Sequence, residues 1–250
     1  LFEAVNAFLL NALHSDKSTG AEAARQHLKG RGLLLKELRQ PEQELKDSYT
    51  GGERIEAGYF PDAAELRAYL EAGGQFTPEE IGRAIPIPKA AGRLSLTLRE
   101  RGRIIGFKFR SIDGTEPKYL NLEGYKKENH LPGLTRAENV VLVEGELDAM
   151  RAHTAGFKEV AALGGSFISD KQIEAALRAG ARSITLALDN DAAGKTATRA
   201  AVEALLRYQE KTEKTFAVFV CHYPEGCKDF DELLNPQEGK EQAAAMLQTR

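Results

Sequence analysis

The chain has 250 residues, 42% of them hydrophobic, which suits one large domain or two small ones with a buried core. Its net charge of −3 excludes a uniformly basic nucleic-acid binder, and no run approaches the roughly 18 apolar residues of a membrane span. Cys221 and Cys227 are too few for a disulfide framework and match no common zinc spacing, so reduced thiols in a cytoplasmic protein are expected.

AVNAFLL (4–10) lacks the basic leader and cleavage site of a signal peptide and reads as a helix. Because the sequence starts at Leu1 rather than Met, a piece of a longer protein is expected. Residues 1–85 read as helical. Thr19 with Glu22, Asp62 with Glu65, and Thr77-Pro78 with Glu80 each have the spacing of a helix start, while polar 41–56 reads as a loop. Pro86 and Pro88 break the helical pattern. RLSLTL (93–98) and RIIGFKFR (103–110), joined at 99–102, then predict a hairpin with basic residues at its turn and along one face. Residues 111–121 read as a loop. From Lys89 to Lys127 there are ten basic and four acidic side chains, a local charge of +6 fit for a polyanion.

From 139 onward, apolar runs at 140–144, 159–163, 183–188 and 215–220 alternate with helical segments, and a final helix is expected near 237–248. That alternation predicts a parallel sheet covered on both faces, with ligands bound beyond the carboxyl ends of its strands. Acids stand at three of those ends: Glu144 and Asp148, Asp189 and Asp191, and Asp229, Asp231 and Glu232. Crowded carboxylates are costly unless a cation or proton neutralises them, so the pattern points to a divalent-metal pocket for phosphoryl chemistry. Asp191, Asp229 and Asp231 also suit helix caps, and Glu146 and Asp148 suit a helix N-terminus; neither role accounts for Glu144. GKT (194–196) is not a phosphate loop, because the required first glycine falls on Asp189. Gly194 and Lys195 belong instead to a helix start, where Lys195 can still meet a phosphate. Gly164-Gly165-Ser166 either exposes amides to a phosphate or makes a tight turn, the commoner case. The five histidines have no metal-ligand partner at useful spacing.

VEGELD (143–148), LDNDAAGK (188–195) and KDFDELL (228–234), in this order and between these strands, resemble the TOPRIM domain shared by topoisomerases, DnaG-type primases and some nucleases. HLKGRGL (27–33), GRLSLTLRERGRIIGFKFR (92–110), PKYLN (117–121) and YKKENHLPGL (125–134) resemble the RNA-polymerase core of the primases. The resemblance implies an α/β fold: a TOPRIM-like, four-stranded, mainly parallel sheet flanked by helices, preceded by a smaller α+β basic subdomain. The divisions expected are 1–135, 136–235 for the TOPRIM domain, and a C-terminal helix at 236–250.

It also implies RNA primer synthesis on a single-stranded DNA template from ribonucleoside triphosphates, beside a replicative helicase and away from membranes. Mg²⁺ or Mn²⁺ would be held by Glu144, Asp148, Asp189, Asp191, Asp229 and Asp231, with Glu144 taking the proton and Asp189 and Asp191 central. Arg93, Arg103, Arg110, Lys118, Lys127 and Lys195 would contact template or nucleotide. Where the family has glycine beside the downstream basic residue, this chain has Glu128. The rival readings are a TOPRIM nuclease, which would use water as nucleophile, and a non-catalytic nucleic-acid-binding module.

Overall fold

The structure is a computed structural model and describes residues 1–33, 55–100 and 102–234. Most of the expected loop at 41–56, Arg101 and the expected C-terminal helix lie outside these residues. The chain divides into two compact units. The first takes its described residues from 1–33, 55–98 and 104–125, and the second from 99–103 and 126–234. They therefore divide at Tyr125/Lys126, where the sequence placed the boundary at 135/136.

In the first unit, helices α1 (Phe2–Ser15) and α2 (Thr19–Gly30) precede strand β1 (Glu56–Phe60), helices α3 (Ala63–Ala72) and α4 (Pro78–Ala84), and strands β2 (Arg93–Glu100), β3 (Arg103–Arg110) and β4 (Tyr119–Asn121). The strands form one sheet in the order β1-β2-β3-β4, and the β1–β2 and β3–β4 pairs are antiparallel. The basic hairpin is present as expected. β1 and β4 lie where the sequence pattern suggested helix and loop.

β1 escapes the pattern because Gly58 stands in its middle. A Cβ there would lie 2.8 Å from Leu9 Cβ, so the glycine lets α1 pack closely on the strand. Buried Asn6 joins the same layers, donating to Glu56 Oε2 at 3.1 Å and accepting from Thr97 Oγ1 at 2.6 Å. Leu9, Phe60, Leu66, Ile81, Phe107 and Phe109 fill the core beneath, each side chain contributing about 1.5–3 kcal/mol by leaving water.

The helix starts follow side-chain chemistry. Thr77 and Glu80 make a full capping box with Pro78 in the first turn, and Asp62 accepts from Ala64 N and Glu65 N. At α2 the start shifts by one residue. Ser18, not Thr19, has the extended backbone of a cap and accepts from Ala21 N, while Glu22 turns to Arg25 and Gln26.

In the second unit, β5 (Asn139–Val143), α5 (Glu146–Thr154), β6 (Val160–Ala162), α6 (Asp170–Arg178), β7 (Ser183–Leu186), α7 (Ala192–Thr212), β8 (Ala217–Val220) and α8 (Phe230–Leu233) form a parallel sheet with helices, in the order β6-β5-β7-β8. Val140, Leu142, Ala161, Ile184 and Leu186 are fully or almost fully buried with Ile173 and Leu205 of the helices, which explains their unbroken apolar runs. Among the described residues no helix is long and apolar enough to cross a membrane.

Candidate functional site: an acidic sheet edge and a basic sheet face

Strand register brings the acids to one edge. Leu142 pairs with Leu186, and Leu186 with Val220, so β5, β7 and β8 end level with one another. Glu144 follows Leu142 by two residues, and Asp189 follows Leu186 by three. Asp148 lies in the first turn of α5, its Oδ2 accepting from Gly145 N at 3.2 Å. Gly145 leaves room for that carboxylate, since a Cβ there would stand 2.7 Å from Asp148 Oδ2.

The third acid segment lies nine residues beyond the end of β8 and is returned to the edge by Asn190. Its backbone N donates to Lys228 O at 2.6 Å, and its Nδ2 donates to Cys227 O at 2.8 Å. Tyr223 fixes the same turn by donating its hydroxyl to Ala187 O at 2.8 Å. Burial first, then Cys221 and the negative charge of Asp189 and other neighbours, pushes that phenol's pKa up, so it stays a donor.

The acids divide by what they do. Asp191 Oδ1 caps α7 by accepting from Gly194 N at 2.7 Å, and Asp229 Oδ1 caps α8 by accepting from Glu232 N at 2.8 Å. The capping role that the sequence left open is therefore present at both, through one carboxylate oxygen each. Asp231 is turned towards Arg151, 3.5 Å from its Nε, and the same guanidinium donates to Leu234 O. Glu144, Asp148 and Asp189 are half-buried at the edge. Among the described residues no three His, Cys, Asp or Glu side chains converge closely enough to hold a metal ion. The donors are hard carboxylates, and Mg²⁺ commonly uses only one or two of these, completing its shell with water and substrate phosphate. Glu144, Asp148 and Asp189 fit that open type of site; Asp231, committed to Arg151, fits it less well.

Two of the candidate lysines, Lys127 and Lys195, stand in this unit. Lys195 and Asp189 line one cleft of about 670 Å³ with Arg199, His222 and Tyr223. Lys195 is in the first turn of α7, and a Cβ on Gly194 would fall 2.0 Å from Asp189 O. That glycine serves close packing of helix on turn, as the rejection of a phosphate loop requires. Lys127 lies in a 3₁₀ turn (Lys127–Asn129), and its Nζ would be 2.9 Å from a Cβ on Gly165. Gly165 N donates to Glu144 O at 3.2 Å, so this amide is engaged within the fold.

Arg103 opens β3 and is exposed. The remaining candidates, Arg93, Arg110 and Lys118, lie in the first unit. Tyr119 gathers three cations around its ring, with Lys108 Nζ at 4.6 Å, Arg110 Cζ at 5.2 Å and Lys118 Nζ at 5.9 Å from the centroid. Arg110 also donates to the Tyr119 hydroxyl, while its buried Nε has no hydrogen-bond partner among the described residues. Arg93 is placed differently from a contact residue. It is 3% exposed, and its guanidinium donates to Lys89 O at 3.1 Å, Pro117 O at 2.7 Å and Thr115 O at 3.5 Å. Its fork is spent on holding the loop that carries Lys118. Asn190, Tyr223 and Lys108 were not singled out from the sequence; Asn190, between two acids, was the most accessible of them.

A Toprim-like family model matches residues 141–234. The DNA primase of Deinococcus radiodurans is 29% identical over 92% of this chain, which covers 40% of that protein. The DNA primase of Staphylococcus aureus strain COL is 35% identical over 54% of the chain, covering 23% of that protein. Among solved structures, a DnaG primase catalytic domain bound to single-stranded DNA aligns over 98% of this chain and 76% of its own, with TM-score 0.70 and 25% identity. A DNA primase domain from Pseudomonas aeruginosa aligns over 100% of this chain and 77% of its own, with TM-score 0.71 and 25% identity. The chain therefore spans well under half the length of these two curated relatives. The chain is thus similar to the DnaG-type primases: it has the fold of their catalytic core, and residues 141–234 of its second unit match a Toprim-like domain.

Proposed function

We propose that the chain joins ribonucleotides into primers on a single-stranded DNA template. The observation that carries this reading is the level ending of β5 and β7, which puts Glu144 and Asp189 at one sheet edge in a chain with a primase-core fold. A divalent ion, Mg²⁺ or Mn²⁺, held by Glu144, Asp148 and Asp189 with Asp191 and Asp229 nearby, would supply charge neutralisation for the triphosphate. Glu144 accepts the proton of the attacking 3′-hydroxyl. Lys127 and Lys195 take phosphate oxygens of the nucleotide. Lys118, exposed beside Tyr119, follows the template by phosphate contact, with Arg110 next to it. A replicative helicase would be its partner.

The test is incorporation of labelled ribonucleotides on single-stranded DNA with Mg²⁺ or Mn²⁺. Asp189→Ala and Glu144→Ala should each lower the rate by about a hundredfold or more, in line with loss of a charge-stabilising or proton-accepting group. Full activity in both variants would remove these residues from the mechanism. Metal-dependent cleavage without synthesis would favour the nuclease reading.

A further inference from the structure

Gln172 is 1% exposed in the first turn of α6. One end of its amide does what a capping box asks: Oε1 accepts from Ser169 N at 3.0 Å, and Ser169 Oγ accepts from Gln172 N at 3.1 Å. The other end does more. Nε2 lies 3.2 Å from Lys127 O, 2.9 Å from His130 O and 3.1 Å from Leu163 O, three acceptors sharing two hydrogens. Ser169 Oγ donates in turn to Glu128 O. The carbonyls of residues 127, 128 and 130 are thus fastened to the start of α6, together with the residue before Gly164. Two residues further on, Gly165 is bonded to Glu144 O, and the Lys127 ammonium stands where a Gly165 side chain would be.

We propose that Gln172 is a positioning residue. It fixes the backbone of Lys127 against the loop after β6, so that the ammonium lies over Gly165, whose amide is bonded to the Glu144 carbonyl, ready for a phosphate of the incoming ribonucleoside triphosphate. The proposal rests on the primer-synthesis reading for the identity of that ligand. Gln172 itself touches no nucleotide, because its amide is fully committed to backbone groups. Gly165 completes the device. Only a residue without Cβ leaves the ammonium its place, and a substituted residue there meets nothing else within 4 Å. Glu128 does not interrupt the arrangement, since its carbonyl is one of the anchoring groups.

The experiment uses the full chain with ¹³C-dimethylated lysines, the Lys127 signal being assigned by its loss in Lys127→Arg. ATP with Mg²⁺ is titrated by calorimetry. Gln172→Leu should collapse the Lys127 signal towards that of a mobile lysine and weaken ATP by about tenfold, the scale of a misplaced binding group. Added to Lys127→Ala, it should weaken ATP no further, whereas a merely structural role would weaken it additively. Gly165→Ala should shift the same signal and weaken ATP several-fold with an unchanged thermal midpoint. It decides the matter alone if Gln172→Leu does not fold. Wild-type-like Lys127 signals in both variants would overturn the positioning role. If ATP does not bind the unsubstituted chain while the Lys127 signal still responds to Gln172→Leu, the positioning stands and the primer-synthesis reading falls.

Discussion

Asn190 is the neutral residue between two acids, and it makes two of the bonds that hold the third acid segment at the sheet edge. Asn190→Ala removes the side-chain bond and leaves Cys227 O without its donor, so a loss of about 1–3 kcal/mol in denaturant titration and slower primer synthesis are expected. His27 sets a pH dependence. Burial, then the charges of Arg110, Arg31 and Lys118, hold its pKa below 6.5. As pH falls through 6.5, the unfolded chain takes up a proton that the folded imidazole refuses, so stability drops until the folded pKa is reached. The thermal midpoint should therefore be lower at about pH 5.5 than at about pH 7.5, and His27→Gln should narrow the difference. Burial pushes the Cys221 thiol up to about 11, with Cys227 adding to the effect. Iodoacetamide should thus label Cys221 slowly at about pH 8 in the folded protein and quickly after unfolding, as mass spectrometry of the peptide would report.

At the scale of the element, the start of α7 is the most constrained joint. With a Cβ only 2.0 Å from Asp189 O, Gly194→Ala must push the helix off the turn that carries Asp189. A thermal midpoint lowered by several degrees, with synthesis lost even where folding survives, is the expected outcome. Thr77→Ala, at an exposed capping box far along the chain from the acids, should cost only about 1 kcal/mol. The same contrast explains what could be read from the sequence. The α4 start, the basic hairpin and the four apolar strands of the second unit are local patterns, and they were legible. β1 and β4 are strands because of their neighbours: Gly58 yields to Leu9, and three residues at 119–121 pair only because β3 offers an edge. At the candidate site, Glu144 and Asp189 were legible from strand ends alone. The ion pair of Asp231 with Arg151, the carbonyl clamp of Arg93 and the reach of Gln172 were not, because each joins segments that only tertiary closure brings together.

For the whole molecule, the net charge of −3 conceals a basic run from Lys89 to Lys127. Binding to single-stranded DNA should weaken steadily as salt rises, with a logarithmic slope set by the phosphates neutralised. Replacing Arg110 or Lys118 by alanine should each reduce that slope by about 0.7 and weaken binding almost equally on unrelated sequences, as fluorescence anisotropy across a salt series would show. Arg93→Ala should instead destabilise the loop at 115–117, because its partners are carbonyls of the protein itself.

The bond from Asn190 N to Lys228 O also sets an order of events in time. It joins half-buried Asn190 to exposed Lys228 across 38 residues, outside the ladder of buried strands. A single bond at such half-exposed residues opens locally at low cost, whereas the buried strand ladder opens only with the fold. The amide hydrogen of Asn190 should consequently exchange with solvent deuterium sooner than those of Leu142 and Leu186 in the adjoining strands. A molecule can thus keep its sheet while its acidic edge is briefly undone, and the lifetime of that edge is a property separate from the stability of the fold.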